Sequence, residues 1–150
     1  MGKRVKARTI LLVEDDAEDR LLLSDAVKEA CRPHTLRFVR DGEELFDYLE
    51  RRGQYEDKRR SPRPDLILLD LKMPRQDGRE ALRKLKADAK LRRIPVVVLT
   101  SSTARDDIDF CYDEHANAYM KKPNSFGDLL GLIDTIGNYW FQLAELPSED

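Results

Sequence analysis

Short apolar runs separated by longer stretches of helical spacing organise this chain. Ile10–Val13, Leu36–Val39 (broken by Arg37), Leu66–Leu69 and Val96–Leu99 recur at similar intervals, with a weaker fifth run at Ala116–Met120. The first, third and fourth are continuous rather than alternating, the pattern of strands covered on both faces by helices. Between them, Leu23, Ala26, Val27 and Ala30 follow the i, i+3, i+4, i+7 spacing of one buried helix face. Leu45, Phe46 and Leu49 predict a second helix after Asp41, a candidate N-cap with Glu44 three residues on. Ala81, Leu82 and Leu85 predict a third, and Ile108, Cys111 and Tyr112 a fourth. Leu129, Leu132, Ile133 and Ile136 predict a fifth, introduced by Ser125 and Asp128 in capping-box spacing. Strand–helix alternation repeated five times implies a parallel sheet in a three-layer α/β sandwich joined by right-handed crossovers.

Two segments depart from a minimal version of that plan. Residues 51–64, RRGQYEDKRRSPRP, read as a polar, basic surface insertion before the third strand, with contact to an acidic partner as the minor alternative. The stretch YWFQLAEL, residues 139–146, continues past the fifth helix with three consecutive aromatics, Tyr139, Trp140 and Phe141. It reads equally as a cover for the domain's own core and as a partner surface.

Composition narrows the function classes. The 150 residues suffice for one domain with a continuous core. A net charge of −2, from 29 acidic and 27 basic residues, lacks the basic excess of a nucleic-acid binder. Lys3, Arg4, Lys6 and Arg8 make residues 1–8 a basic, solvated tail. No apolar run approaches the ~20 residues of a membrane span, and no secretory core opens the chain. Cys31 and Cys111 form no CxxC pair, so a reduced, cytoplasmic setting is expected. His34 and His115 stand without the neighbours a zinc site needs.

Ligands of an open parallel sheet bind at the carboxyl ends of its strands. Here those ends read Glu14, Asp15 and Asp16; then Asp70; then Thr100, Ser101 and Ser102; then Lys121, Lys122 and Pro123. Taken by itself, Asp70 could simply close a strand by bonding nearby amides. Taken together, crowded carboxylates suit Mg²⁺, a hard cation that keeps waters and accepts a phosphoryl oxygen. A carboxylate can also be the nucleophile that forms an aspartyl-phosphate, whose charge a lysine and a hydroxyl would offset. No GxxxxGK[ST], GxGxxG or GxSxG is present, so the common nucleotide cradles and the serine-nucleophile elbow are absent.

The combination LLVEDD (11–16), LILLDLKMPRQDG (66–78), VVVLTSS (96–102) and AYMKKP (118–123) resembles the receiver domains of two-component response regulators, over about residues 8–136. That resemblance implies a flavodoxin-like (βα)5 fold, strand order 2-1-3-4-5, with the receiver over residues 9–138 and an extension at 139–150. It implies Asp70 as phosphoacceptor, Mg²⁺ held by Asp15, Asp70, Glu14 through water and the Lys72 carbonyl, and Thr100 as the switch hydroxyl. Lys122 would pair with the phosphate, with a cis bond to Pro123. Tyr119 would be the aromatic that moves inward with Thr100, and Ser101 the small residue admitting the phosphodonor. Asp16 reads instead as the N-cap of the first helix with Asp19 at N3. Lys121 is expected in solvent. Lys72 and Ser102 are expected to influence how long the phosphate lasts.

The same resemblance implies a sensor histidine kinase as partner and a signal leaving through the fourth helix, fifth strand and fifth helix. No output domain is expected after Ile136. The basic loop and the aromatic tail are similar to those of regulators paired with phytochrome-type kinases, whose members form dimers; Tyr139, Trp140 and Phe141 are the expected partner surface. Two other classes compete. An aspartyl-phosphate phosphatase would want a second acid two residues past the nucleophile, where Lys72 stands. A pseudo-receiver acting as a constitutive interaction module would not need the intact set Glu14, Asp15, Asp70, Thr100 and Lys122. The chain is thus expected to catalyse only its own phosphorylation and dephosphorylation.

Overall fold

The computed structural model describes residues 6–31, 33–72 and 78–148. Lys3, Arg4, Pro74 and the last two residues of the extension lie outside them. Strands β1 (Thr9–Val13), β2 (Thr35–Val39), β3 (Leu66–Leu69), β4 (Val96–Thr100) and β5 (Ala118–Lys121) alternate with helices α1 (Ala17–Ala30), α2 (Gly42–Leu49), α3 (Gly78–Ala87), α4 (Arg105–Asp113) and α5 (Phe126–Asn138). The strands form one parallel sheet in the order β2-β1-β3-β4-β5.

The continuous apolar runs now have two addressees. Leu11, Val13, Ile67, Leu69, Val96 and Val98 face one cluster with Leu45 and Tyr48 of α2, Leu82 and Leu85 of α3 and Cys111 of α4. Ile10, Leu12, Leu66, Leu68, Val97 and Leu99 face the other, with Leu23 and Val27 of α1 and Leu129, Ile133 and Ile136 of α5. Side chains of a strand alternate between faces, so a strand buried on both sides must be apolar at every position. All four residues of β3 are fully buried, each side chain contributing roughly 1.5–3 kcal/mol by leaving water. On the α1/α5 side the layers close tightly at Gly137: a Cβ there would stand 2.6 Å from the Cys31 sulfur.

Three expectations shift at element edges. The fifth strand covers Ala118–Lys121 rather than 116–120; Ala116 is buried but precedes the ladder, its amide donating to the Cys111 carbonyl. Tyr112 is half exposed, so the buried face of α4 rests on Cys111, with Phe110 packed partly against the core. In the edge strand β2, Phe38 is exposed and carries the Arg20 guanidinium 5.2 Å from its ring centroid.

The insertion before β3 is a built structure rather than a loose loop. It holds a 3-10 turn at Gly53–Tyr55. Tyr55 packs partly against the core beside Tyr48 and donates its hydroxyl to Glu44. Ser61 is buried, its hydroxyl 2.7 Å from the Tyr55 carbonyl and 3.1 Å from that of Asp57. Tyr48 donates to the Pro62 carbonyl at 2.7 Å. Past α5 the chain makes a π-helical turn, Tyr139–Leu143. Trp140 and Phe141 pack on the α1/α5 cluster, and Phe141 tilts against His34 at 4.4 Å between centroids. Tyr139 and Leu143 stay 54% and 78% exposed.

Candidate functional site

The sheet ladder itself carries the site residues to one rim. The Glu14 amide donates to the Val39 carbonyl (3.0 Å), Asp70 to Val13 (3.1 Å) and Lys122 to Thr100 (2.9 Å), each one step past its strand. Backbone freedom is therefore spent before the side chains are placed. The loop after β1 is braced further by Arg20, whose guanidinium donates to the carbonyls of Glu14 (3.1 Å) and Asp15 (2.9 Å).

At this rim a lysine sits among three carboxylates. The Lys122 ammonium donates to Glu14 Oε1, to Asp19 Oδ2 at 2.8 Å and to Asp70 Oδ2 at 3.2 Å. Glu14 and Asp70 are buried, 1% and 4% exposed. Glu14 Oε2 also accepts the Asp16 amide at 3.2 Å, and Asp70 Oδ1 the Lys72 amide at 3.2 Å. Burial pushes the Glu14 carboxyl up to about 7; the hydrogen bond from Lys122 opposes this and the nearby Asp70 charge reinforces it. Burial would lower the Lys122 ammonium, yet hydrogen bonds to Asp19 and Glu14 and the Asp70 charge hold it above its ordinary value.

Glu14, Asp15 and Asp70 bring donor oxygens within 4.8 Å of one another. They are hard oxygen ligands, two buried and one exposed, so a divalent cation could bind between protein and solvent. Thr100 is fully buried, and its hydroxyl oxygen has no hydrogen-bond partner. Buried polar atoms are normally satisfied, so a hydroxyl left over at this rim fits a group that is not always there. Ser101 is exposed beside it, and Lys121 and Lys72 are exposed as well.

Around Thr100 the next layer is engaged. Tyr119 is half-buried against the core, and its hydroxyl donates to the Ser102 carbonyl at 2.8 Å. Ser102 Oγ donates to Asp107. Asp16 caps α1 as expected, accepting the Asp19 amide at 3.0 Å.

Three contributors were not read from the sequence as parts of this site. Asp19 was assigned only its backbone role in the cap, yet its carboxylate reaches Lys122 from 103 positions away. Arg20 gave no local signal. Gly78 marked only a chain break, but a Cβ there would lie 2.4 Å from the Asp70 carbonyl oxygen and 2.6 Å from Leu71 Cα. The α3 N-terminus is thus pressed onto the backbone of Asp70 itself, a closeness only glycine permits.

Comparison with known proteins places this rim in a family. The response regulator receiver domain matches residues 10–134, and the chain belongs to that family. Response regulator Rcp1 of Synechocystis sp. (strain ATCC 27184 / PCC 6803 / Kazusa) is 41% identical over 141 residues, covering 94% of each protein. The crystal structure of the phosphorylated cyanobacterial phytochrome response regulator RcpA superposes with a TM-score of 0.88 at 43% identity, spanning 95% of this chain and all of the other. The Mn²⁺-bound form of Rcp1 superposes at 0.84, with 41% identity over 94% and 99% of the two chains. The fold is therefore the flavodoxin-like receiver fold. A phosphorelay role follows with it, and the acidic cluster of Glu14, Asp15 and Asp70 is compatible with a divalent metal. No helix among the described residues is long and apolar enough to cross a membrane.

Proposed function

We propose that the chain receives a phosphoryl group on Asp70 from a sensor histidine kinase in a Mg²⁺-dependent reaction. The observation that carries this is the Lys122 ammonium on Asp70 Oδ2, beside an unpartnered, buried Thr100 hydroxyl. An Asp70 oxygen attacks phosphorus and forms the O–P bond, while the P–N bond to the donor histidine breaks and its electron pair returns to the imidazole. Lys122 already bonds three carboxyl groups and can turn to the new phosphoryl oxygens, which the Thr100 hydroxyl also meets. Glu14, Asp15, Asp70 and the Lys72 carbonyl would hold Mg²⁺, which offsets charge on the transferring group when bound. Ser101, small and exposed, leaves the donor room to enter. The protein catalyses only its own phosphorylation and dephosphorylation; Lys72, exposed two residues past the acceptor, modulates the second.

The likeness to the cyanobacterial phytochrome response regulator RcpA supports a phytochrome-type kinase in the same compartment, the cytoplasm. The exposed Tyr139 and Leu143, continuous with α5, support a second copy of the chain as occupant of that face; Trp140 and Phe141 are partly covered from within. The test is incubation with Mg²⁺ and acetyl phosphate, followed by intact mass. A gain of one phosphoryl group, lost in Asp70→Ala and in EDTA, is expected. No modification of the wild type would favour a constitutive interaction module instead.

A further inference from the structure

One linkage beside the site reaches across three elements and has no part in the chemistry above. Asp107, in the first turn of α4, uses its two carboxylate oxygens in different directions. Oδ1 pairs with the Arg79 guanidinium, while Oδ2 accepts the Ser102 hydroxyl at 2.5 Å. Ser102 Oγ also accepts the Ala104 amide at 3.3 Å, which closes the turn into α4, where the N-cap residue Ala104 offers no side chain of its own. The carbonyl of this same Ser102 is the acceptor for the Tyr119 hydroxyl.

Arg79 is anchored at both ends. It follows Gly78, which is pressed against the Asp70–Leu71 peptide and whose amide donates to the Leu71 carbonyl at 3.2 Å. Its guanidinium also lies 5.4 Å from the centroid of Phe110, on the same face of α4 as Asp107. The end of β3, the loop after β4 and the aromatic ring of β5 are thus tied in series through one ion pair, itself only partly exposed.

We propose that Arg79 and Asp107 are positioning residues for Tyr119. By fixing Ser102 they fix the carbonyl to which the tyrosine is bonded, and so hold the ring inward before any phosphoryl group arrives. A two-state element biased in advance needs less from its ligand. The inference rests on the reading of Asp70 as acceptor only for its effect on phosphorylation; the bias on Tyr119 stands without it.

The structure supplies its own control. Arg83 lies 5.3 Å from the same Phe110 ring and pairs with Glu114 at 3.4 Å, a second α3–α4 clamp without a link to Ser102. Fluorotyrosine is incorporated into the full chain, and the ¹⁹F signal of Tyr119 is assigned through Tyr119→Phe. In the metal-free, unphosphorylated protein, Arg79→Ala and Asp107→Asn should move or broaden that signal. Arg83→Ala should leave it at the wild-type position, and Arg79→Lys should restore most of it. Beryllofluoride with Mg²⁺ should shift the wild type little and return the Arg79→Ala signal to it. Labelling by acetyl phosphate should slow about threefold or more in Arg79→Ala and not in Arg83→Ala. If Arg79→Ala does not fold, Asp107→Asn, which keeps the side-chain shape, decides by the same signal. Matching spectra for Arg79→Ala and Arg83→Ala would overturn the proposal, as would a wild-type signal that beryllofluoride shifts as far as the variant's. A wild type that never labels would refute Asp70 as acceptor while the metal-free spectra still judge the brace.

Discussion

The two rims of this sheet, about 15 Å apart at ~3.3 Å per strand residue, use polar groups in opposite ways. At the amino rim they are consumed internally. Arg8 pairs with Asp65, the Arg8 amide donates to His34 Nδ1, and Lys86 donates to the carbonyls of Arg92 and Ile94. Ser61 and Tyr48 satisfy the carbonyls of the insertion. At the carboxyl rim, three carboxylates share one ammonium and a buried hydroxyl has no partner. Among the described residues, the first rim closes on its own partners, whereas the second leaves a buried hydroxyl unpaired beside a crowded acidic cluster.

The sharpest way to break this contrast is Gly78→Ala. The added methyl would meet the Asp70 carbonyl at 2.4 Å, so either α3 or the Asp70 backbone must move. A loss of about 3 kcal/mol in urea unfolding is expected, together with failure to label Asp70 in the fraction that folds. Wild-type labelling in this variant would show that the close approach does not position Asp70.

The rims should also answer pH with opposite signs. The folded Glu14 carboxyl is raised to about 7 by burial. The folded state therefore holds a proton that the unfolded chain releases near pH 4.5, and stability falls as pH rises between the two. The ceiling is about 3 kcal/mol in metal-free buffer. His34 is lowered, first by burial and then by the Arg8 charge. Its contribution is present above pH 6.5 and is lost as pH falls below that value. Unfolding free energies from pH 4.5 to 8 in EDTA should show the falling limb, and Glu14→Gln should flatten it. An unchanged limb in Glu14→Gln would assign it elsewhere.

Two smaller substitutions probe the amino rim. Phe141→Ala removes a ring packed between His34 and the α1/α5 cluster and should cost about 2 kcal/mol, with Asp70 labelling unchanged. Ser61→Ala leaves two carbonyls short of a donor and should cost about 1 kcal/mol. Either substitution altering the labelling rate would mean the rims are coupled rather than separate.

The course of the strands and the acidic rim were legible because each depends on local chemistry. A two-faced strand must be apolar throughout, and the caps at Asp16, Asp41 and Ser125 declare themselves by spacing; each accepts the expected amide. Even there, Glu44 turns its second oxygen to the Arg40 amide, one residue ahead of the cap. What sequence did not disclose was set by distant partners. The insertion at 51–64 is mostly exposed, as its charges suggest, but Tyr55 within it packs against Tyr48 over the core, a contact its polar neighbours do not disclose. Asp19 reads as a helix-cap residue until β5 brings Lys122 to it. The charges of Arg79 and Asp107 resemble ordinary exposed helix charges, and only the crossing of α3 and α4 gives them a common purpose.

The geometry of the described ends has a practical reach. Residues 6–8 lead into β1, and Leu146–Ser148 lie beside Arg63, Pro64, Ile94 and Pro95, which precede β3 and β4. Both ends of the described chain therefore leave from the rim opposite Asp70. A fluorophore attached at Lys6 or at Ser148 would sit on the far side of the molecule from Asp70. Such a reporter could follow signalling in real time without standing in its path.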